Sequence, residues 1–372
     1  MNKLNKYAFS DLYDIASGIS TTKTQAGHGT PFVSFSTVFN NIFLPDELPD
    51  LMDTSEQEQE TYSIRKGDIL ITRTSETADE LAMSCVALKD YPGATYSGFV
   101  KRLRPKTIGV AYDKFMAFFL RSKYFRKVIN NNTIMTLRAS FNEDMFSFLT
   151  LYLPDYDVQV AVGDLLYNIE CKIQNNKRIN DNLAQQAQLL FDFMFQDISG
   201  SKHIGDFIVP QRGTALLSKD AIPGDIPVVA GGLVPSTYHN AANTVAPVIT
   251  ISSSGANAGF VNLWGVPVWS SDSSFIDFKM TPYVYFWHAL LKRHQNNIYK
   301  IQTGSAQPHI YPSHIASLPV CDLDFGKVAD YTERVTPLFT LIAKNYKESN
   351  QLRALRDWLL PMLMNGQATI SD

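Results

Sequence analysis

The sequence predicts an α+β protein: two mixed, β-rich domains in tandem, each followed by a long helix, the two helices pairing as an antiparallel coiled coil with pseudo-twofold symmetry. Three observations predict it. At 372 residues the chain exceeds what one hydrophobic core usually supports. One junction is written twice at a fixed offset. Behind each copy runs a helical segment whose apolar residues recur at coiled-coil spacing.

The junction reads "ASFNEDMFSFLTLYLP" at residues 139–154 and "GSAQPHIYPSHIASLP" at residues 304–319. Each copy has a small residue with Ser, a polar patch, an apolar run, Leu-Pro and then a long helix. The offset is 165 residues and holds for about forty residues without an insertion: Leu153-Pro154 falls on Leu318-Pro319, Asn180 on Asn345, Leu190 on Leu355, Asp192 on Asp357 and Phe193 on Trp358.

Upstream the register needs insertions, but landmarks keep their order. "SDLYDI" (10–15) lines up with "GDFIVP" (205–210), and "TPFVSFS" (30–36) with "IPVVAGG" (226–232). "DILITRTS" (68–75) lines up with "PVITISSS" (247–254), and "SGFVKRL" (97–103) with "SSFIDFK" (273–279). The common order makes the chain a duplication, with expected bounds 1–156 and 200–320 for the variable domains and 157–199 and 321–372 for the helices. Within each domain, β-branched and aromatic runs alternate with Gly, Pro, Asn and Ser turn signals, and one helix is expected in each, at "DKFMAFFLRSKYFRKVI" and "PYVYFWHALLKRHQNNI".

The first long helix has Val162, Leu166, Ile169, Ile173, Asn176, Asn180, Leu183, Ala187, Leu190 and Met194 along one seam. The second gives Leu338, Leu341, Asn345, Glu348, Leu352, Leu355 and Leu359. Polar residues at such positions cost stability but fix register and partner. An amphipathic helix lying on its own domain is the alternative. The narrow seam, repeated with a matching asparagine, favours two helices pairing with each other.

Composition bounds the rest. The chain is 45% hydrophobic and 12% aromatic, which suits packed cores. A formal net charge of −3 does not mark a strongly basic nucleic-acid binder, although charge can segregate onto one face. Cys85, Cys171 and Cys321 form no CxxC pair and read as reduced thiols. No apolar leader and no run long enough to span a bilayer is present, so a cytoplasmic protein with no membrane partner is expected.

Catalytic motifs are missing. There is no P-loop, HExxH or G-x-S-x-G, and the seven histidines are scattered, so no metal site and no catalytic residue is expected. Gly255-Ala-Asn-Ala-Gly259 is the one loop that could suggest a nucleotide-binding enzyme. The next run, "FVNLWGVPVWSSD", is β-like, whereas a dinucleotide turn opens a helix. A polar hairpin loop is the plainer reading.

Basic and small polar residues are better placed for nucleic acid. Lys101, Arg102 and Arg104 sit on a strand and its exit, and Lys123 opens a basic helix. Arg138, Lys292, Arg293 and Gln302 flank the repeated junctions. Strand-end loops carry Arg73, Thr74 and Ser75 in the first half, and Ser252, Ser253 and Asn257 in the second. Such groups neutralise phosphates or read base edges. Helix pairing is expected at Ile173, Asn180, Leu183, Leu190, Leu338, Asn345, Leu352 and Leu359.

Two β-rich modules, each closed by this Ser-polar-apolar-Leu-Pro junction and a long helix, resemble the specificity (S) subunit of type I restriction–modification enzymes. The resemblance covers essentially the whole chain and rests on the junction, the Pro-entered strand at "GDIPVV" and the tandem layout. It implies two target-recognition domains, each reading half of a bipartite sequence on double-stranded DNA, with the helices setting the gap. It also implies a non-catalytic subunit that binds no cofactor. Two modification (methyltransferase) subunits and the restriction (translocase/nuclease) subunits would use S-adenosylmethionine, ATP and Mg2+. A related two-gene methyltransferase-nuclease is the close variant. The halves are not interchangeable: Asn176 and Leu183 stand where the second helix has Leu341 and Glu348.

Overall fold

The computed structural model describes residues 4–77, 80–132, 139–196, 200–304 and 307–364. Packing divides the chain into two compact units: Met1–Ile173 with Gln351–Asp372, and Gln174–Asn350.

The first unit contains a four-stranded antiparallel sheet in the order Tyr13–Ser17, Val100–Pro105, Ile69–Thr72, Ser84–Val86. A three-stranded sheet lies in the order Asp50–Met52, Ala26–Val33, Thr95–Tyr96, its second pairing parallel. Leu4–Ala8 pairs with Thr150–Pro154, the strand that carries the Leu-Pro of the junction. Side chains alternate across the central strand as the pleat requires. Ile69 and Ile71 join Leu103, Phe115, Phe119 and Phe125 in the larger core, while Leu70 turns to Cys85, Tyr96 and Val100. Both faces of the sheet are therefore buried, which explains why "ILIT" is apolar throughout.

The second unit repeats this plan. Its four-stranded sheet runs Gln211–Arg212, Ser273–Asp277, Val248–Ser252, Val261–Trp264, and its three-stranded sheet runs Thr237–His239, Ile226–Val229, Trp269–Ser270, again with a parallel second pairing. Lys202–His203 pairs with Pro319–Val320 at the second junction. The duplication extends to strand order and direction.

Strand pairing sharpens the internal alignment. Ile69 lies opposite Val86 and Leu103, and Ile249 lies opposite Leu263 and Ile276. Ile249 is thus the counterpart of Ile69, one residue along from the match read in the sequence. Thr72 faces Val100 and Ser252 faces Ser273, so "SGFVKRL" and "SSFIDFK" are three residues out of register. A one-residue slip exchanges the two faces of a strand, and here both faces are apolar, so hydrophobicity alone does not fix it.

The long helices are Tyr156–Met194, 39 residues, and Phe325–Met364, 40 residues. At 1.5 Å per residue each is about 60 Å long. They pair antiparallel. In the first unit Val162 and Leu166 share a core with Leu363 and Met364, and Glu170 Oε2 accepts from Arg356 Nη1 at 2.7 Å. In the second unit Asn176 Nδ2 donates to Glu348 Oε2 at 2.8 Å, and Asn345 Nδ2 donates to Asn180 Oδ1 at 2.9 Å. Phe191 and Phe195 pack on Tyr331, whose hydroxyl donates to the Ala187 carbonyl at 3.2 Å.

Ile173 is buried at the seam, and Leu183, Leu190, Leu338, Leu352 and Leu359 are half-buried. Two positions differ from the sequence reading. Leu341 and Leu355 face solvent, and half-buried Ile342 and Arg356, with buried Ser349, take the alternate places of the second seam. Steps of three and four alternate along a heptad, and the leucines drew the reading onto the wrong phase.

Candidate nucleic-acid interface

The loops at the far end of each four-stranded sheet collect most of the polar candidates. In the first unit Arg73 follows the central strand. Its backbone is pinned on both sides, the N–H donating to Phe99 O and the C=O accepting from Phe141 N, each at 2.8 Å. The guanidinium is left exposed. Thr74 and Ser75 pair with Ser140 and Ala139 of the junction, and Ser75 Oγ accepts from Thr77 N at 3.2 Å. This polar loop is therefore held by the very segment whose repetition marks the junction.

The neighbouring basic strand is internal. Lys101 and Arg102 are 5% and 9% exposed. Lys101 Nζ donates to Ser17 Oγ at 2.9 Å and to Glu143 Oε1 at 3.2 Å. Arg102 Nη1 donates to the Ser63 carbonyl at 2.6 Å. Arg104 forks onto fully buried Asp68 through Nε and Nη2 at 2.9 and 2.6 Å, which holds its pKa above the usual arginine value. These charges are spent inside the domain. Lys123 is exposed at the start of the helix Lys123–Asn132, and Arg138 lies outside the described residues.

In the second unit Ser252, Ser253, Asn257 and Gln302 do come together around one hairpin loop. Ser252 Oγ donates to Gly231 O at 3.0 Å, and Gln302 Nε2 donates to Ala258 O at 2.7 Å. Ser253 Oγ is buried without a hydrogen-bond partner, and the Asn257 side chain is half-buried in the loop. Gly255 and Gly259 take φ of +79° and +83°, and their N–H groups donate to Pro308 O and Ser252 O at 3.1 and 2.7 Å. The loop joins two antiparallel strands and opens no helix, so its glycine N–H groups are committed to the turn and not free to cradle a phosphate.

Lys292 and Arg293 sit apart from this loop. Lys292 Nζ donates to Val261 O at 3.2 Å and stands over the Phe260 ring, and burial lowers its pKa. Arg293 donates to the carbonyls of Phe195 and Gln196, closing the C-terminal end of the first long helix.

One residue that the sequence reading missed stands beside the hairpin loop. Arg212 Nη2 donates to Asp272 Oδ1 at 2.8 Å, and Asp272 also accepts from Ser254 Oγ. Strand register makes Arg212 the counterpart of Ser17, the residue that Lys101 contacts. Each sheet corner thus holds one cation tied to a carboxylate, Lys101 with Glu143 and Arg212 with Asp272. No local motif announces it, because "QRG" resembles any turn. Among the described residues no group of three or more His, Cys, Asp and Glu side chains could hold a metal ion, and no helix is long and apolar enough to cross a membrane.

The comparisons with known proteins bear on this geometry. Residues 1–185 match the family model described as the type I restriction modification DNA specificity domain. The type I restriction enzyme HindI specificity subunit of Haemophilus influenzae is 26% identical over 170 residues, a stretch that covers 45% of this chain and 35% of that protein. The match thus spans about a third of that relative's length. The crystal structure of a type I restriction–modification system S subunit from M. genitalium superposes with a TM-score of 0.61 at 16% identity, covering 100% of this chain and 97% of that one, a likeness of fold. The domain matched at residues 1–185 and the topology repeated in the second unit place the chain in the type I restriction–modification DNA specificity family.

Proposed function

We propose that this chain is the reading subunit of a type I restriction–modification complex, each unit recognising one half of a bipartite target on double-stranded DNA. The observation that carries the reading is the repetition of one topology with a polar loop at the same sheet corner in both units. Two equivalent readers suit two half-sites on a duplex. In the first unit exposed Arg73 and Lys123 reach phosphates or base edges, and in the second Arg212 and Asn257 do so. The helix pair sets the gap between half-sites.

The chain does no chemistry itself. Two modification subunits methylate adenine with S-adenosylmethionine, and restriction subunits use ATP and Mg2+, in the cytoplasm. The duplication suits two copies of one partner.

A methylome tests this. The chain is expressed with its cognate modification subunit in a methylation-free host, and modified adenines are read by direct sequencing. A split motif is expected, and replacing residues 200–320 with another recognition domain changes one half only. Methylation that does not depend on this chain refutes the proposal.

A further inference from the structure

In the first unit the outer strand Ser84–Val86 is covered by the chain itself. Val86 lies in a parallel bridge with Phe43. Its N–H donates to Ile42 O at 3.0 Å and its carbonyl accepts from Leu44 N at 2.9 Å. The Phe43 ring meets Phe118 and Tyr167 edge-on at 5.6 and 5.2 Å. Arg121 clamps the segment, donating to the carbonyls of Val38, Phe39 and Asn41 as well as to Ser84 O. An edge that would otherwise invite pairing is closed by this added strand.

Among the described residues the second unit has the same edge without the cover. Strand register makes Leu263 the counterpart of Val86 and Val261 the counterpart of Ser84. Lys292 donates to Val261 O as Arg121 does to Ser84 O. Between the strands Ile226–Val229 and Thr237–His239, however, only the loop 230–236 intervenes, where the first unit has the helix Phe35–Asn40 and the run through Leu48. The Leu263 N–H turns to the neighbouring Asn262 Oδ1 at 3.0 Å. Beside it opens a cavity of about 330 Å³ lined by Leu233, Val234, Trp264, Tyr285, Phe339 and Ile342, among others. Tyr285 and Phe339 stack at 4.5 Å with 9° between their planes, making a flat aromatic wall. No lining residue is charged, so the cavity suits neither a phosphate nor an ionic ligand.

We infer that this edge and cavity receive an extended apolar segment of a partner protein, whose backbone adds a strand at Leu263 and whose central aromatic side chain enters the cavity. The chemistry of the occupant is set by the chain's own precedent. Ile42-Phe43-Leu44 does in the first unit what the second unit lacks a segment to do. The volume is at the small end for a binding pocket and fits one or two large side chains. Main-chain hydrogen bonds give such strand addition its affinity, and the side-chain pocket gives its specificity.

The test uses the full chain and a labelled, end-capped synthetic peptide carrying residues 40–48, followed by fluorescence anisotropy. Saturable binding is expected, weakened at least tenfold when the peptide carries Phe43→Asp. The same loss is expected with intact peptide and the chain variants Leu233→Asp or Val234→Asp. Both lie on an exposed loop and leave the fold intact, which circular dichroism checks. Absence of saturable binding, or binding indifferent to these changes, overturns the proposal. A concentration-dependent dimer of the chain that Val234→Asp abolishes also overturns it, by assigning the face to a second copy. The assay contains no DNA, so its failure and a failure of DNA reading are separate results.

Discussion

Asn345 donates from Nδ2 to Asn180 Oδ1 at 2.9 Å, and these two residues stand 165 apart, the offset read in the sequence. The helices begin at Tyr156 and Phe325, 169 residues apart, so in the structure Asn345 is the counterpart of Asn176 and Ser349 that of Asn180, four residues along from the register read in the sequence. Asn176 with Ser349 and Asn180 with Asn345 are thus the two symmetry-related pairs of one polar layer. Glu348 joins the layer by accepting from Asn176 Nδ2.

Asn345→Leu removes the donor to Asn180 Oδ1 in a half-buried seam and leaves only the longer bond from Asn180 Nδ2 to Ile342 O. It is expected to destabilise the chain by about 1–3 kcal/mol in urea unfolding. The double variant Asn180→Leu/Asn345→Leu recovers most of that loss. A double-mutant cycle with no coupling between the two positions would contradict the pairing.

Glu170 and Arg356 form an ion pair with side chains only 12% and 19% exposed. Arg356→Met removes a charged partner of Glu170 in a poorly solvated site. A loss of about 3 kcal/mol is expected, more than for an exposed pair such as Arg334–Asp330, where a truncation costs below about 1 kcal/mol. Thermal unfolding of the two variants side by side checks the ranking.

Neutralising Lys101, Arg102 and Arg104 should lower the stability of the first unit, because Lys101 and Arg102 are themselves buried and Arg104 pairs with fully buried Asp68. Arg73→Ala and Lys123→Ala should leave stability within about 0.5 kcal/mol. Each should also flatten the salt dependence of DNA binding by about 0.9 in log–log slope if it contacts one phosphate. Titrations of binding against salt separate the two groups, and an unchanged slope for both exposed variants would remove them from the interface.

Phe193 and Trp358 are matched in the sequence repeat and are 74% and 63% exposed. Phe193→Ala and Trp358→Ala should leave unfolding unchanged and each weaken capture of one modification subunit by about 2 kcal/mol, as aromatic anchors do. Sedimentation of the reconstituted complex reads the stoichiometry. Full two-to-one assembly at normal affinity by both variants would show that these rings anchor nothing.

His288 has its pKa lowered to about 3 by burial, reinforced by the Lys292 charge. It packs edge-on against Phe339, and Lys292 is the charged group that shifts it. A base whose folded pKa is depressed contributes stability that is fully present above its unfolded value near 6.5. That contribution drains away as pH falls from 6.5 toward 3. Denaturation midpoints measured across this window should decline in the native chain and flatten in His288→Phe.

How much was legible in the sequence depended on whether a signal was local. "ASFNEDMFSFLTLYLP" and its repeat announced the junction, and in the structure their Leu-Pro ends are the strands that close each unit against Leu4–Ala8 and Lys202–His203. The match of "SDLYDI" with "GDFIVP" was also readable, and the residues just before them, Phe9 and Ile204, donate their N–H groups to Leu149 O and Leu318 O. The strands around Ile69 and Ile249 were recognisable as strands but not in register, since a strand buried on both faces carries no alternation to set its phase.

The sequence by itself determined that the chain is a duplication, where its helices run and which asparagines interrupt them, because periodicity and repetition are properties of order along the chain. Only the tertiary structure decided which charges remain for a ligand. Lys101, Arg102 and Arg104 look the same as Arg73 on paper, yet three are hydrogen-bonded inside the domain by groups between 36 and 84 residues away and one is left in solvent. Burial and partnership are set by long-range packing, and no local pattern of residues encodes them.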